Sequence, residues 1–441
     1  MPTQQAAGLR VPYELIPTTL DGAFISPAPP ADFDPNTASQ ASLIRNGFLW
    51  RRPGKDDDPA LRAAWERAFS RPWRAEDRLV PEFAPQPSMS HHPRSAQRAA
   101  DGISIADSVW AGVVVRGTWT GVIGQWVIPA VTEPLQPEGA TGGWNSLSWI
   151  GLDGAVDSND VLQAGVQQLV DHNGNPQYVA WYEWFAPRQE DSPPYIFVTT
   201  IPNFAVSPGQ TVYCSIQYVG STAGQVYFAN QSTGQHFSVT LAPPPGATFN
   251  GSSAEWIMES PNGGEPESSL PIFTPLVFTS AACCGPNGTA GNPSGGDTYN
   301  IVGFGTTLTS VTPGLDTLTI DYVGPLPAGP VFGLSPGGQA VWQYDGTAAS
   351  WTQVGGPAGE IFGGGYGLVA TNPSTGDLWR YLGTPQQWEL IGSPGASFAV
   401  TGDTVFGLSA DRQAVWQYDG TGVSWTQIGG PAEEIAATSA G

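Results

Sequence analysis

Cysteine is nearly absent from this 441-residue chain: Cys214, Cys283 and Cys284 are the whole set. An odd, sparse trio excludes a disulfide scaffold, leaving open only a pairing of Cys214 with one of the other two. Cations are scarce too, 16 Lys and Arg against 38 Asp and Glu. Beyond residue 98 the only ones are Arg116, Arg188, Arg380 and Arg412, set against 27 acidic residues, which excludes the clustered positive charge that nucleic acid requires. Histidine numbers four, two of them adjacent at His91 and His92. With no HExxH, GxSxG, P-loop or CxxC pair, neither a zinc site nor a Ser-His-Asp triad is expected, and no cofactor. No apolar run approaches the roughly 18 residues of a membrane span. The opening MPTQQAAGLRVPYELIP is not a basic-then-apolar leader.

What the chain has is glycine, proline and aromatics. Gly 56 and Pro 42, with 11% aromatic and 12% charged residues, predict many short strands joined by turns, because Gly and Pro break helices while aromatics suit pleated, half-buried surfaces. The length predicts two or three domains. A segment with four Arg and 27 acidic residues approaches neutrality at about pH 3 instead of accumulating positive charge, which suits work in acid.

Composition divides the chain. Residues 1–104 form an N-terminal extension holding most of the basic residues, irregular except for one helix in DDDPALRAAWERAFSR, with Asp58 as cap and Pro59 at the first turn. Its end, SHHPRSAQRAAD at 90–101, is polar and open to proteolysis. A near-neutral, Arg-rich segment ahead of an acidic domain is a candidate prosegment; the alternative is a loose extension with no inhibitory role. Residues 105–323 alternate strand-like runs (VWAGVVV, GQWVIP, YVAWYEWF, TVYCSIQYV, TLTIDYV) with turn residues, the pattern of an antiparallel β-sandwich. After a linker at 324–330, residues 331–441 repeat. Trp342, Trp379 and Trp416 are 37 apart, as are Trp351, Trp388 and Trp425. These three Trp-rich β repeats resemble blades of tectonin or tachylectin β-propellers. Three units are too few for the usual ring, so either protomers associate or the chain is truncated. Their tryptophans are expected to be structural first, with a glycan or cell-surface ligand as the alternative.

With the standard motifs missing, hydrolysis here has to use carboxylates or amides. Four segments, SWIGLDG at 148–154, VLQAGV at 161–166, AWYEWF at 180–185 and SAEWIMES at 253–260, resemble in order and spacing those of the eqolisin (glutamic peptidase) family. The resemblance implies a metal-independent, acid-acting endopeptidase, with polypeptide substrates and extracellular action. By it Gln163 and Glu259 take the catalytic positions, and Trp149, Asp153, Trp181 and Glu183 line the cleft. Strand alternation adds that Trp181 projects with Glu183, Trp149 with Asp153, and Glu255 with Ile257 and Glu259, so carboxyls stand beside aromatics that disfavour their ionisation. Gln163 is an amide inside an apolar run, costly to bury without a partner. Ala164 and Val179 stand where family members often carry Thr and Asp. The competing readings are a glycan-binding or catalytically inactive sandwich, and a glycosidase using Glu183 with Glu259.

Overall fold

The structure, a computed structural model, describes residues 9–49, 52–57, 59–70, 73–86, 104–135, 143–155, 157–158, 160–187, 197–261, 269–326, 330–345 and 350–437. Asp58 and the 90–101 segment lie outside the described residues. The chain divides into two compact units, Met1–Leu326 and Pro327–Gly441.

Strand alternation builds the first unit. Along Ser253–Glu259, Ala254, Trp256 and Met258 turn to one side and join the main core with Trp126, Ile150, Leu162, Trp184 and Phe228. Glu255, Ile257 and Glu259 turn to the other. Two sheets, antiparallel except where Ser104–Asp107 runs parallel to Asp297–Gly303, enclose that core. One runs Ile16–Pro17, Ala23–Ile25, His236–Leu241, Ala223–Asn230, Thr211–Val219, Gly121–Val127, Leu276–Cys284, Thr317–Tyr322, Thr309–Pro313. The other, the site sheet, runs Thr306–Thr307, Asp297–Gly303, Trp110–Arg116, Ser253–Glu259, Trp144–Leu152, Val161–Val170, Pro176–Phe185, Thr199–Thr200, Ala84–Pro85. Two buried indoles find acceptors across the core: Trp256 Nε1 donates to the Ile123 carbonyl at 2.8 Å and Trp126 Nε1 to Ser148 Oγ at 3.1 Å. The sandwich expected from the strand pattern is present. All three cysteines are free, Cys214 and Cys283 buried in the core.

The N-terminal segment is more ordered than its composition suggests. It carries two helices, Gln40–Arg45 and Pro59–Ala68, where the sequence predicts one. Its short strands Ala23–Ile25 and Ala84–Pro85 extend one sheet each. Pieces of two or three residues are too short to show a period, so only their pairing reveals them. The six-residue helix is capped by Ser39, whose Oγ accepts from Ser42 N at 3.2 Å. Phe33, Leu43, Trp65 and Phe69 close a second core over Ile123, Tyr213 and Tyr227. Arg67 adds bonds to Ser280 Oγ at 2.7 Å and to Asp316 at 3.0 Å.

In the second unit each repeat forms a small antiparallel sheet: three strands over 332–355, four over 361–392 and four over 395–429. Val341, Val354 and Leu368 fill one apolar cluster, and Val369, Ile391 and Val405 the next. No helix among the described residues is long and apolar enough to cross a membrane.

Candidate active site

The outer face of the site sheet is set by register, because residues paired across antiparallel strands point the same way. One row runs Asp297, Val114, Glu255, Gly151, Gln163, Glu183. The next runs Tyr299, Gly112, Ile257, Trp149, Gly165, Trp181, Thr200. A third runs Trp110, Glu259, Leu147, Gln167, Val179. Gln163, Glu259, Trp149, Trp181 and Glu183 therefore share one face, in three adjacent rows.

Two side-chain bonds organise this face. Gln163 Nε2 donates to Glu183 Oε2 at 3.0 Å, and Trp149 Nε1 donates to Glu259 Oε2 at 2.9 Å. Both pairs are buried, Gln163 and Glu259 each 1% exposed and Glu183 fully covered. A hydrogen bond in so dry a setting fixes the amide plane and the carboxyl rotamer. Trp149 is itself held edge-on by Trp110, ring centroids 5.2 Å apart. Gly165 makes the crossing of Trp149 feasible, since a Cβ there would lie 2.6 Å from Trp149 Cβ and 2.1 Å from the Ser148 carbonyl.

Asp153 goes elsewhere. Its strand ends at Leu152, and Asp153 adopts the left-handed backbone with φ +67°, which breaks the alternation that would have aligned it with Trp149. Its oxygens accept from Tyr218 OH at 2.7 Å, Gly251 N at 2.8 Å, and Ser252 N and Oγ, both at 2.8 Å. Burial raises its carboxyl above the usual range, although these four donors pull it back.

Glu255 is the residue that motif reading alone undervalues. It is fully buried, and burial raises its carboxyl well above the usual carboxylate range, with the nearby Asp153 charge adding to the effect and the Ser253 hydroxyl opposing it. Its carboxyl leans over Gly151, where a Cβ would lie 3.2 Å from Oε2. Asp297, at the end of the same row, is paired with Arg116 at 2.9 Å. The sequence signal for Glu255 was its strict alternation with Glu259; Asp297, after a glycine-rich insertion, had none.

The fold and this face define a β-sandwich with a buried carboxylate and amide constellation. Residues 108–322 match the Peptidase A4 family, in agreement with the resemblance carried by the four motifs. The segment is similar to aspergillopepsin-2 of Aspergillus niger, 26% identical over 230 residues covering 49% of this chain and 78% of that protein. It is also similar to scytalidopepsin B of Scytalidium lignicola, 24% identical over 178 residues covering 40% and 60%. Among solved structures, scytalido-glutamic peptidase with a transition state analog inhibitor aligns at TM-score 0.41 and 20% identity, over 49% of this chain and 99% of that one. Aspergilloglutamic peptidase from Aspergillus niger aligns at 0.34 and 24%, over 41% and 99%.

Proposed function

We propose that residues 108–322 hydrolyse peptide bonds of unfolded polypeptides in acid. The observation that carries this reading is the pair of buried bonds on one sheet face, Gln163 to Glu183 and Trp149 to Glu259. Trp149 holds one oxygen of Glu259, and the other is assigned as the base that takes a proton from the attacking water. The Gln163 amide nitrogen carries two N–H groups. Glu183 takes one and so sets the amide plane; the second is assigned to the oxyanion that develops on the scissile carbonyl. Protonated Glu259 then returns the proton to the leaving nitrogen, so that one carboxyl serves as base and then as acid. Trp181, one row from Gln163 on the same face, is assigned with Trp149 to the apolar walls that position substrate. Asp153, held by Tyr218 and the Gly251–Ser252 backbone, is assigned to holding the end of the Trp149 strand.

Burial of the constellation suits a latent form that opens before substrate enters; a prosegment role for residues 1–104 is proposed from their charge and their place ahead of the acidic domain, since their described core packs on the opposite sheet over Ile123, Tyr213 and Tyr227. Extracellular action fits the same reading. For the Trp repeats, a sugar ligand is supported by two clefts at equivalent repeat positions. One, of about 160 Å³, is walled by Trp379 and Trp388; the other, of about 350 Å³, by Trp416 and Trp425.

Product class tests the enzyme reading. After preincubation in acid, the full chain should release new amino groups from an unfolded protein between about pH 2 and 5, around the ordinary carboxyl pKa, and no reducing ends from glycans. Reducing ends without amines would point instead to a carboxylate-pair glycosidase.

A further inference from the structure

The three Trp repeats are joined by one interface used twice. Trp388 Nε1 donates to the Val354 carbonyl of the preceding repeat at 2.8 Å, and Trp425 Nε1 donates to the Ile391 carbonyl at 2.6 Å. Donor and acceptor recur at the 37-residue period, as does the slot the indole enters. A Cβ on Gly355 would lie 3.0 Å from Trp388 Cζ2, and one on Gly392 3.1 Å from Trp425 Cζ2. Within its own repeat each indole packs on a tyrosine at the same offset: Tyr344 with Trp351 at 5.4 Å, Tyr381 with Trp388 at 5.2 Å, Tyr418 with Trp425 at 5.3 Å.

The outer repeats each carry half of this interface. Trp351 is the period's third donor, yet it is 42% exposed, and among the described residues its N–H has no acceptor. Ile428 is the third acceptor position. Val354 and Ile391 are 1% and 0% exposed, but Ile428 is 52% exposed. The Gly429 slot is vacant of any indole, a Cβ there meeting only Val415. Neither strand end, Trp351–Gly355 nor Trp425–Gly429, bears a charge. A surface with one half of a heterologous contact at each end is complementary to a second copy of itself, head to tail.

We propose that the occupant of these ends is another copy of this chain, whose Trp351 enters the Gly429 slot and donates to the Ile428 carbonyl. The contact reproduces the two internal ones in donor, acceptor, apolar neighbour and glycine slot. Buried tryptophans dominate interface energetics, so each end should matter greatly to assembly.

Sedimentation of the full chain tests this. Wild type should assemble beyond one 46.3 kDa chain in a concentration-dependent way. Trp351→Ala and Ile428→Glu should each weaken association by at least about thirtyfold; Ile428→Glu, at a half-exposed side chain, should leave thermal unfolding unchanged, and Trp351→Ala should cost only the packing of its indole on Tyr344. Trp388→Ala, which removes an internal donor, should instead destabilise the repeats. The two end variants mixed in equal amounts should recover one-to-one pairing, since the intact Trp351 of one meets the intact Ile428–Gly429 end of the other, while the opposite junction stays broken. A monomeric wild type at about 100 μM, assembly indifferent to both end variants, or no recovery on mixing would overturn the proposal.

Discussion

His236 shows how a single residue couples this molecule to pH. It lies between Trp73, ring centroids 4.7 Å apart, and Tyr227 at 6.1 Å, while its backbone carbonyl accepts from Leu79 N at 2.7 Å. Burial pushes its imidazole down to about 4; the Gly234 carbonyl and Asp77 oppose that shift, and Arg78 reinforces it. The folded value lies below the unfolded one near 6.5, so the unfolded chain binds more protons between them. Stability is therefore full above about pH 6.5 and falls toward pH 4, by on the order of 3 kcal/mol. The raised Asp153 and Glu255 carboxyls work in the opposite sense: their folded forms hold protons more tightly, and stability rises as pH drops through the carboxyl range. Acid thus loosens the contact of Trp73 and Leu79 with His236 while favouring the site sheet. His236→Gln should remove the loss between pH 6.5 and 4, read as hydrogen-exchange protection around Leu79; an unchanged pH profile would contradict this. At this scale Gln163 and Glu259 were legible because each sits in a distinctive short run. The position of Asp153 was not, since nothing in SWIGLDG announces that Asp153 takes a positive φ.

Among the elements, cross-strand register does what motifs cannot. The row from Glu255 through Gly151 to Gln163 and Glu183 depends on pairing of strands distant in sequence, so the Gln163–Glu183 bond was beyond sequence reading even with both residues named. Gly165→Val tests the register's packing. Its side chain would collide with Trp149, and a cost of about 1–3 kcal/mol is expected from overpacking, with loss of activity exceeding loss of fold because Trp149 orients Glu259. The N-terminal segment makes the complementary point. Its composition predicted irregularity, but Trp65 and Phe69 cover Ile123, Tyr213 and Tyr227. Deleting residues 1–86 should uncover that apolar patch, lower the unfolding temperature by several degrees and increase binding of a hydrophobic dye. A deletion variant with wild-type stability would show the segment to be a passive extension.

For the whole molecule, composition and repeat period were the reliable guides. All-β architecture followed from glycine, proline and aromatic content, and the 37-residue spacing of tryptophans marked the sheets of the second unit. The acid balance has its own consequence. With four Arg against 27 acidic residues beyond residue 98, this part of the chain approaches zero charge rather than strong self-repulsion near pH 3. Solubility there should depend weakly on added salt.

The peptidase reading stands on Glu259. The direct measurement is amino-group release from an unfolded protein at about pH 3 by the acid-preincubated full chain, wild type against Glu259→Gln, with thermal unfolding of both recorded. The expected result is steady release by wild type and none above background by an equally stable variant. Release by Glu259→Gln at the wild-type rate would contradict the assignment of Glu259 as the base, and a folded wild type that releases nothing would contradict the peptidase reading itself.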